Sequence, residues 1–145
     1  MIDAVPGPYF TLEEANAALE HVRPLAESML AHRNALAAAG ARWNELAGKI
    51  AGNGGGLDRG ELAGLQETIE REQGEVARCV RAIQSHGAQV KDVDTGLLDF
   101  LSERDGMEIE LCWQLGEEQI EYWHGVEEGF AGRKPISRSG ELDET

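Results

Sequence analysis

The sequence has few of the residues that mark disulfide-bonded proteins or common enzymes. Its only cysteines among 145 residues are Cys79 and Cys112, and they lack Cys-x-x-Cys spacing. Because disulfide frameworks and zinc knuckles need closely spaced cysteines, we expect two reduced, partly buried thiols. The chain also lacks a P-loop, a dinucleotide-binding fingerprint and a Gly-x-Ser-x-Gly elbow, which excludes the enzyme classes that depend on them.

Positive charge is scarce as well. The chain has 13 Lys and Arg against 27 Asp and Glu, a formal net charge of −14. Since this charge repels phosphates, we expect no nucleic acid and no membrane as partner, and we favour basic proteins or metal cations. The sequence has no apolar run of about 20 residues and no signal-peptide pattern, so we expect a cytoplasmic protein.

The first half of the chain has the apolar spacing of long helices. Thr11 and Glu14 form a capping box, which predicts a helix that begins at Leu12. Apolar residues then recur at steps of three and four as far as Ile50. Pro24 lies inside this run and predicts a kink or break that separates a short first helix from a longer one.

A glycine-rich segment, residues 52–56, predicts a turn before the apolar spacing resumes at 62–83. Folding the chain about Gly56 sets Trp43 opposite Ile69 and keeps both seams in phase for about six helical turns. We therefore predict an antiparallel helical hairpin of coiled-coil type over residues 12–86.

The hairpin seam also indicates partners. Two of its positions, Arg33 and Glu72, are charged, so each must meet solvent or an opposite charge. Two helices leave one flank of their apolar stripe open. This flank must cover the C-terminal half, a second copy of the chain, or both, which predicts a homo-oligomer or another protein partner.

After Gly87 the apolar spacing changes to two, which predicts strands. Asp105-Gly106 is a hairpin turn signal, and a further strand is expected around residues 89–93. We predict one α+β domain over residues 1–145. In it the hairpin is followed by a small antiparallel β-meander of three to four strands with a closing loop (87–136) and a frayed tail (137–145).

Strand pairing assigns the chemically active side chains to faces. Pairing across the Asp105-Gly106 turn places Asp99 beside Cys112 on a polar face. Pairing of the last two strands about a loop at 115–118 places His124 beside Ile109 on the apolar face.

Short motifs near both ends of the chain are similar to those of one bacterial family. They are Phe10-Thr11-Leu12-Glu13-Glu14-Ala15-Asn16, Val90-Lys91-Asp92, Gly96-Leu97-Leu98-Asp99-Phe100, Leu111-Cys112-Trp113, Leu115-Gly116-Glu117, Trp123-His124 and Gly129-Phe130-Ala131-Gly132-Arg133. Through these motifs nearly the whole chain resembles the domain-of-unknown-function 2203 family. The resemblance implies a small cytoplasmic bacterial protein with helices first and the motif-rich segment last. It implies no activity, cofactor or catalytic residue.

An acidic loop is the first candidate for a metal site. Asp92, Asp94 and Asp99 lie near Gly96, and hard divalent cations bind converging carboxylates. The spacing differs from that of an EF-hand, because Leu97 stands where the sharp turn needs glycine. We favour a solvated acidic turn with an Asx-type hydrogen bond over a calcium site.

His124 is the second candidate, since Glu118, Glu121, Glu127 and Glu128 lie near it in the sequence. A neutral imidazole satisfied by one hydrogen bond is the interpretation we favour on an apolar face. A metal ligand and an acid/base pair are the alternatives.

Arg133 is the third candidate. We favour an internal ion pair with Asp92 or Asp99 over binding of a small anionic ligand. Cys112, placed among carboxylates, is a poor candidate nucleophile. Trp123, placed on the polar face, is a candidate surface contact.

Two main functions remain open, beside a weaker third, a ligand-binding protein with a pocket between the hairpin and the sheet. The first is a protein-interaction or self-assembly module built on the hairpin. The alternative is a small metal-dependent or acid/base enzyme that uses a carboxylate and histidine cluster, with a divalent metal as its cofactor. The candidate catalytic residues are Asp92, Asp99, Glu118, His124 and Arg133, and the candidate metal ligands are Asp92, Asp94, Asp99 and His124.

Overall fold

A computed structural model of the chain describes residues 9–53 and 59–137. Two helices, α1 (Leu12–Asn53) and α2 (Arg59–Ser85), come first and form the predicted hairpin. The capping box is present: the Thr11 amide donates to Glu14 Oε1 (2.9 Å), and the Glu14 amide donates to Thr11 Oγ1 (3.1 Å). Within these ranges, neither helix has a segment apolar enough to cross a membrane.

A five-stranded antiparallel sheet follows, which confirms the predicted α+β fold. The strands pair in sequence order, and a short 3-10 turn over Phe130–Gly132 precedes the last one. There is one strand more than predicted, because the last has only two residues and therefore no alternating pattern. The strands are β1 (Ala88–Asp92), β2 (Leu97–Arg104), β3 (Met107–Gln114), β4 (Tyr122–Gly125) and β5 (Lys134–Pro135).

Helix α1 runs through Pro24 without a break, so the predicted division into two helices is wrong. Proline removes one backbone donor, but this single loss is small beside the packing that holds the helix. Val22 and Ala26, on either side of Pro24, are fully buried against the rest of the molecule. The helix also continues to Asn53, into the predicted glycine turn. Residues 54–56 of that turn and 138–145 of the predicted frayed tail lie outside the described residues.

The core lies between the hairpin and one face of the sheet, as predicted. The first half of α1 and the end of α2 supply its helical side, and alternate residues of β2, β3 and β4 supply the other. The buried residues that form it include Ala15, Leu19, Val22, Ala26, Met29, Cys79, Ile83, Leu98, Phe100, Ile109, Leu111, Trp113 and Trp123.

Both charged seam residues have polar partners, and Arg71 Nε lies 3.9 Å from Glu72 Oε1. Arg33 Nε donates to Asp94 Oδ1 at 2.6 Å, which ties α1 to the β1–β2 turn. Glu72 is buried, and its Oε2 lies 2.5 Å from Nδ1 of His32 on the facing helix. The two helices therefore lie side by side in register, and Trp43 and Ile69 line one groove between them.

The predicted strand register is correct between β2 and β3 and wrong between β3 and β4. Across the Asp105-Gly106 turn, Asp99 pairs with Cys112 as predicted. Between β3 and β4, however, His124 pairs with Glu110 instead of Ile109. This difference of one residue moves His124 to the polar face and places Trp123 in the core.

The connection between β3 and β4 explains the shift. The Trp113 indole donates to the Glu117 carbonyl (2.9 Å), and the Gln114 amide donates to the Glu117 carboxylate (2.7 Å), which forms a turn that side chains hold closed. Ile120 then leaves the ladder, and its amide donates to Asn16 Oδ1 on α1 (2.9 Å). Pairing consequently begins only at Tyr122.

Candidate functional site

The outward face of the sheet carries a buried polar cluster. It consists of Asp99 on β2, Cys112 on β3 and His124 on β4, which lie on the same face of three neighbouring strands. Their residues are only 2%, 0% and 1% exposed. One carboxylate oxygen, the Sγ and one ring nitrogen all lie within 4.8 Å of one another.

The ring of His124 is held in a defined orientation. Its Nδ1 donates to the carbonyl of Gly125 at 2.7 Å, so Nε2 faces the cluster. Nε2 lies 3.1 Å from Asp99 Oδ2 and 3.6 Å from Glu110 Oε2. The hydrogen bond with Asp99, helped by Cys112 and opposed by burial, raises the pKa of His124 to about 10. Without a metal, the ring is therefore an imidazolium at neutral pH.

The pKa values of Asp99 and of the neighbouring Glu110 are shifted in opposite directions. Burial is the largest single effect on Asp99 and disfavours its ionisation, but hydrogen bonds from His124, Glu110 and Cys112, together with the charge of His124, outweigh burial and hold the pKa of Asp99 below its usual range. Burial, followed by a hydrogen bond with Asp99 and the negative charge of Asp99, raises the pKa of Glu110. Lys91 Nζ lies 3.6 Å from Glu110 Oε1. The second oxygen of Asp99, Oδ1, is buried and has no hydrogen-bond partner among the described residues.

The loop after β4 fixes the backbone that orients His124. The Gly125 amide donates to Glu128 Oε1 (2.7 Å), and Lys134 Nζ donates to the same oxygen (2.6 Å). A Cβ added at Gly132 would lie 2.5 Å from the Cβ of Glu128, so this close packing needs glycine. The acceptor for His124 Nδ1 is thus part of a tightly packed loop.

Arg133 is an internal anchor, but its partner differs from both predicted ones. Its Nη2 donates to both carboxylate oxygens of Glu117, at 2.7 and 2.9 Å, and not to Asp92 or Asp99. The guanidinium also lies over the rings of Tyr122 (4.0 Å) and Phe130 (4.7 Å). Glu117 was missed because the predicted loop treated residues 115–118 as a simple connection.

The structure separates the remaining candidates from this cluster. The Asp94 amide donates to Asp92 Oδ1 at 2.9 Å, which is the Asx-type turn that the spacing favoured. The backbone carbonyl of Glu118 accepts a hydrogen bond from Arg23. Across residues 9–53 and 59–137, the set of metal-ligating groups that come together holds Asp99 and His124 but none of these three acidic residues.

The sequence analysis named Asp99 and His124 as candidate metal ligands but placed them on opposite faces of the sheet. Asp99 was placed beside Cys112 correctly, whereas His124 was placed on the wrong face. Cys112 was expected among carboxylates alone. Cys112 also lies near the side chains of His124 and Arg133. His124 reaches it only because of the observed register of β4.

Fold and site define a class: an α+β protein whose helical hairpin supports a sheet with a buried Asp/Cys/His cluster on its outer face. The chain belongs to the family of uncharacterized conserved proteins DUF2203, whose model matches residues 8–136. This match confirms the resemblance seen in the sequence motifs, several of which supply the cluster. Searches of the curated proteins and of the solved structures found no match to this chain.

Proposed function

We propose that this protein binds one divalent transition-metal ion, with Asp99, Cys112 and His124 as ligands. The observation that carries the proposal is the buried, unpartnered Oδ1 of Asp99 in a cluster with a thiol and an oriented imidazole. Buried polar atoms are normally satisfied, so a buried carboxylate oxygen without a protein partner is free to bind a cation. Histidine ligands of metals are characteristically held by a hydrogen bond from the other ring nitrogen, as Gly125 holds His124 here.

The distances are close to those of a tetrahedral centre. Zinc bonds to nitrogen, oxygen and sulfur imply separations of about 3.3 to 3.6 Å between ligand atoms. His124 Nε2 lies 3.1 Å from Asp99 Oδ2 and 3.6 Å from Glu110 Oε2. The widest separation among the three ligand atoms is at most 4.8 Å, so side-chain shifts of about 1 Å would complete the geometry.

The mixed donor set selects the class of metal. One thiolate, one imidazole and one carboxylate suit Zn²⁺ and its neighbours, whereas Ca²⁺ and Mg²⁺ prefer oxygen ligands alone. Glu110, on the same face, supplies a fourth ligand as its carboxylate. A cytoplasmic location, which the sequence favours, would keep Cys112 reduced and able to bind.

Burial favours metal binding over turnover. Asp99, Cys112 and His124 are at most 2% exposed, so a substrate has no open approach to them. A metal at this position joins β2, β3 and β4 and stabilises the sheet on its outer face. The acid/base enzyme considered from the sequence would instead need a proton donor or acceptor within reach of a substrate.

Cobalt titration tests the proposal, because tetrahedral Co²⁺ bound to a thiolate gives a charge-transfer band in the near ultraviolet. We expect one equivalent of Co²⁺ to produce this band and Zn²⁺ to abolish it. Cys112→Ala should lose the band, while Cys79→Ala, which removes the buried cysteine of α2, should keep it. Circular dichroism verifies that both variants fold. A wild-type protein without the band, or a Cys112→Ala variant that keeps it, would refute the proposal.

A further inference from the structure

The hairpin extends well beyond the sheet that it covers. The last fully buried core residue of α1 is Met29, and the first of α2 is Cys79. We call the parts that follow Met29 and precede Cys79, residues 30–53 and 59–78, the arm; at its base Val76 packs against the core and Arg33 pairs with Asp94. Its 24 residues of α1 span about 36 Å. The buried apolar residues of the arm, Ala39 and Leu46, lie outside the core cluster.

The apolar seam of the arm is only partly covered by its own two helices. Trp43 and Ile69 line a surface groove of about 410 Å³, with Gln66, Glu70 and Gln73 as its other walls. The half-buried apolar residues of the arm also include Leu36, Leu62 and Leu65. Two helices alone rarely bury enough apolar surface to be stable. In four-helix bundles, two further helices cover the apolar seam.

Charge identifies the occupant as a second copy of the chain. The arm has as many basic as acidic residues, so its net charge is zero although the whole chain carries −14. Its α1 part carries +2 and its α2 part −2. Self-association through the arm therefore avoids the repulsion that opposes it elsewhere. The charged residues are Arg33, Arg42, Glu45 and Lys49 on α1, and Arg59, Glu61, Glu67, Glu70, Arg71, Glu72, Glu75 and Arg78 on α2.

We infer that two copies of the chain pair through this arm as a four-helix bundle, with α1 of one copy against α2 of the other. A two-fold axis makes this contact twice, and each time it joins the positive part to the negative part. The grooves at Trp43 and Ile69 face each other across the axis and close the seam. The inference is independent of the metal centre, which lies on the far face of the sheet.

Sedimentation equilibrium at micromolar concentrations, with chelator present, tests this pairing. We expect a dimer for the wild-type chain. The double variant Glu67→Lys/Glu70→Lys reverses two exposed charges of α2 and changes its part of the arm from −2 to +2, so it should dissociate at least tenfold more readily. Circular dichroism shows whether the variant keeps its helices.

The matched control is Glu20→Lys/Glu27→Lys, which changes two exposed residues of α1 outside the arm. It alters the net charge of the chain by the same amount, from −14 to −10, and should leave the dimer intact. A monomeric wild-type protein overturns the inference. So does equal weakening by both double variants, because a general charge effect would then explain the result.

Discussion

Because of the pair formed by His124 and Asp99, the metal-free protein should lose stability as the pH becomes alkaline. The pKa of His124 is about 10 in the folded protein, against about 6.5 for an unfolded chain. Because the folded value is the higher one, the stabilisation is complete below pH 6.5 and is lost as pH rises through 10. A difference of about 3.5 pKa units corresponds to a loss of about 5 kcal/mol in the free energy of unfolding.

Urea unfolding at intervals between pH 6 and pH 10.5, with chelator and followed by circular dichroism, measures this loss. His124→Gln removes the titrating group and should flatten the dependence. His86→Gln, which changes an exposed histidine stacked on His21, should keep it. Parallel curves for wild-type protein and His124→Gln would refute the reasoning, since some other group would then carry the pH dependence.

Three further substitutions test the packing around the site. Phe100→Ala, at a fully buried core position, should lower the free energy of unfolding by about 3 to 5 kcal/mol in urea, and a loss below about 1 kcal/mol would contradict the core assignment. Asn16→Ala removes the acceptor of the amide of Ile120, a buried residue between β3 and β4, and should cost about 1 to 3 kcal/mol, measured the same way. Gly132→Ala should lower the melting temperature, because its Cβ would lie 2.5 Å from a neighbouring side chain. Gly74→Ala, on an open face of α2, is its control and should raise stability by about 1 kcal/mol.

The elements with local signals could be predicted from the sequence. The capping box of Thr11 and Glu14 marks the first residue of α1. The Asp105-Gly106 turn fixes the register of β2 and β3, because both residues adopt the positive φ that the tight turn requires. The pairing of Asp99 with Cys112 follows from that turn alone.

The features that depend on distant contacts could not be predicted in this way. The register of β4 depends on hydrogen bonds from Trp113 and Gln114 to Glu117, and on Asn16 of α1, which lies far away in sequence. Pro24 signals a break, but burial of the helix on both sides outweighs one missing hydrogen bond. His124, one of the three residues of the cluster, was therefore assigned to the wrong face by a single-residue shift.

Anomalous X-ray diffraction at the zinc absorption edge, on crystals grown with Zn²⁺, tests the metal centre most directly. The account predicts one strong anomalous peak on the outer face of the sheet, within bonding distance of Cys112 Sγ, His124 Nε2 and a carboxylate oxygen of Asp99. Crystals without a peak there, or with zinc bound only at surface carboxylates, would contradict it.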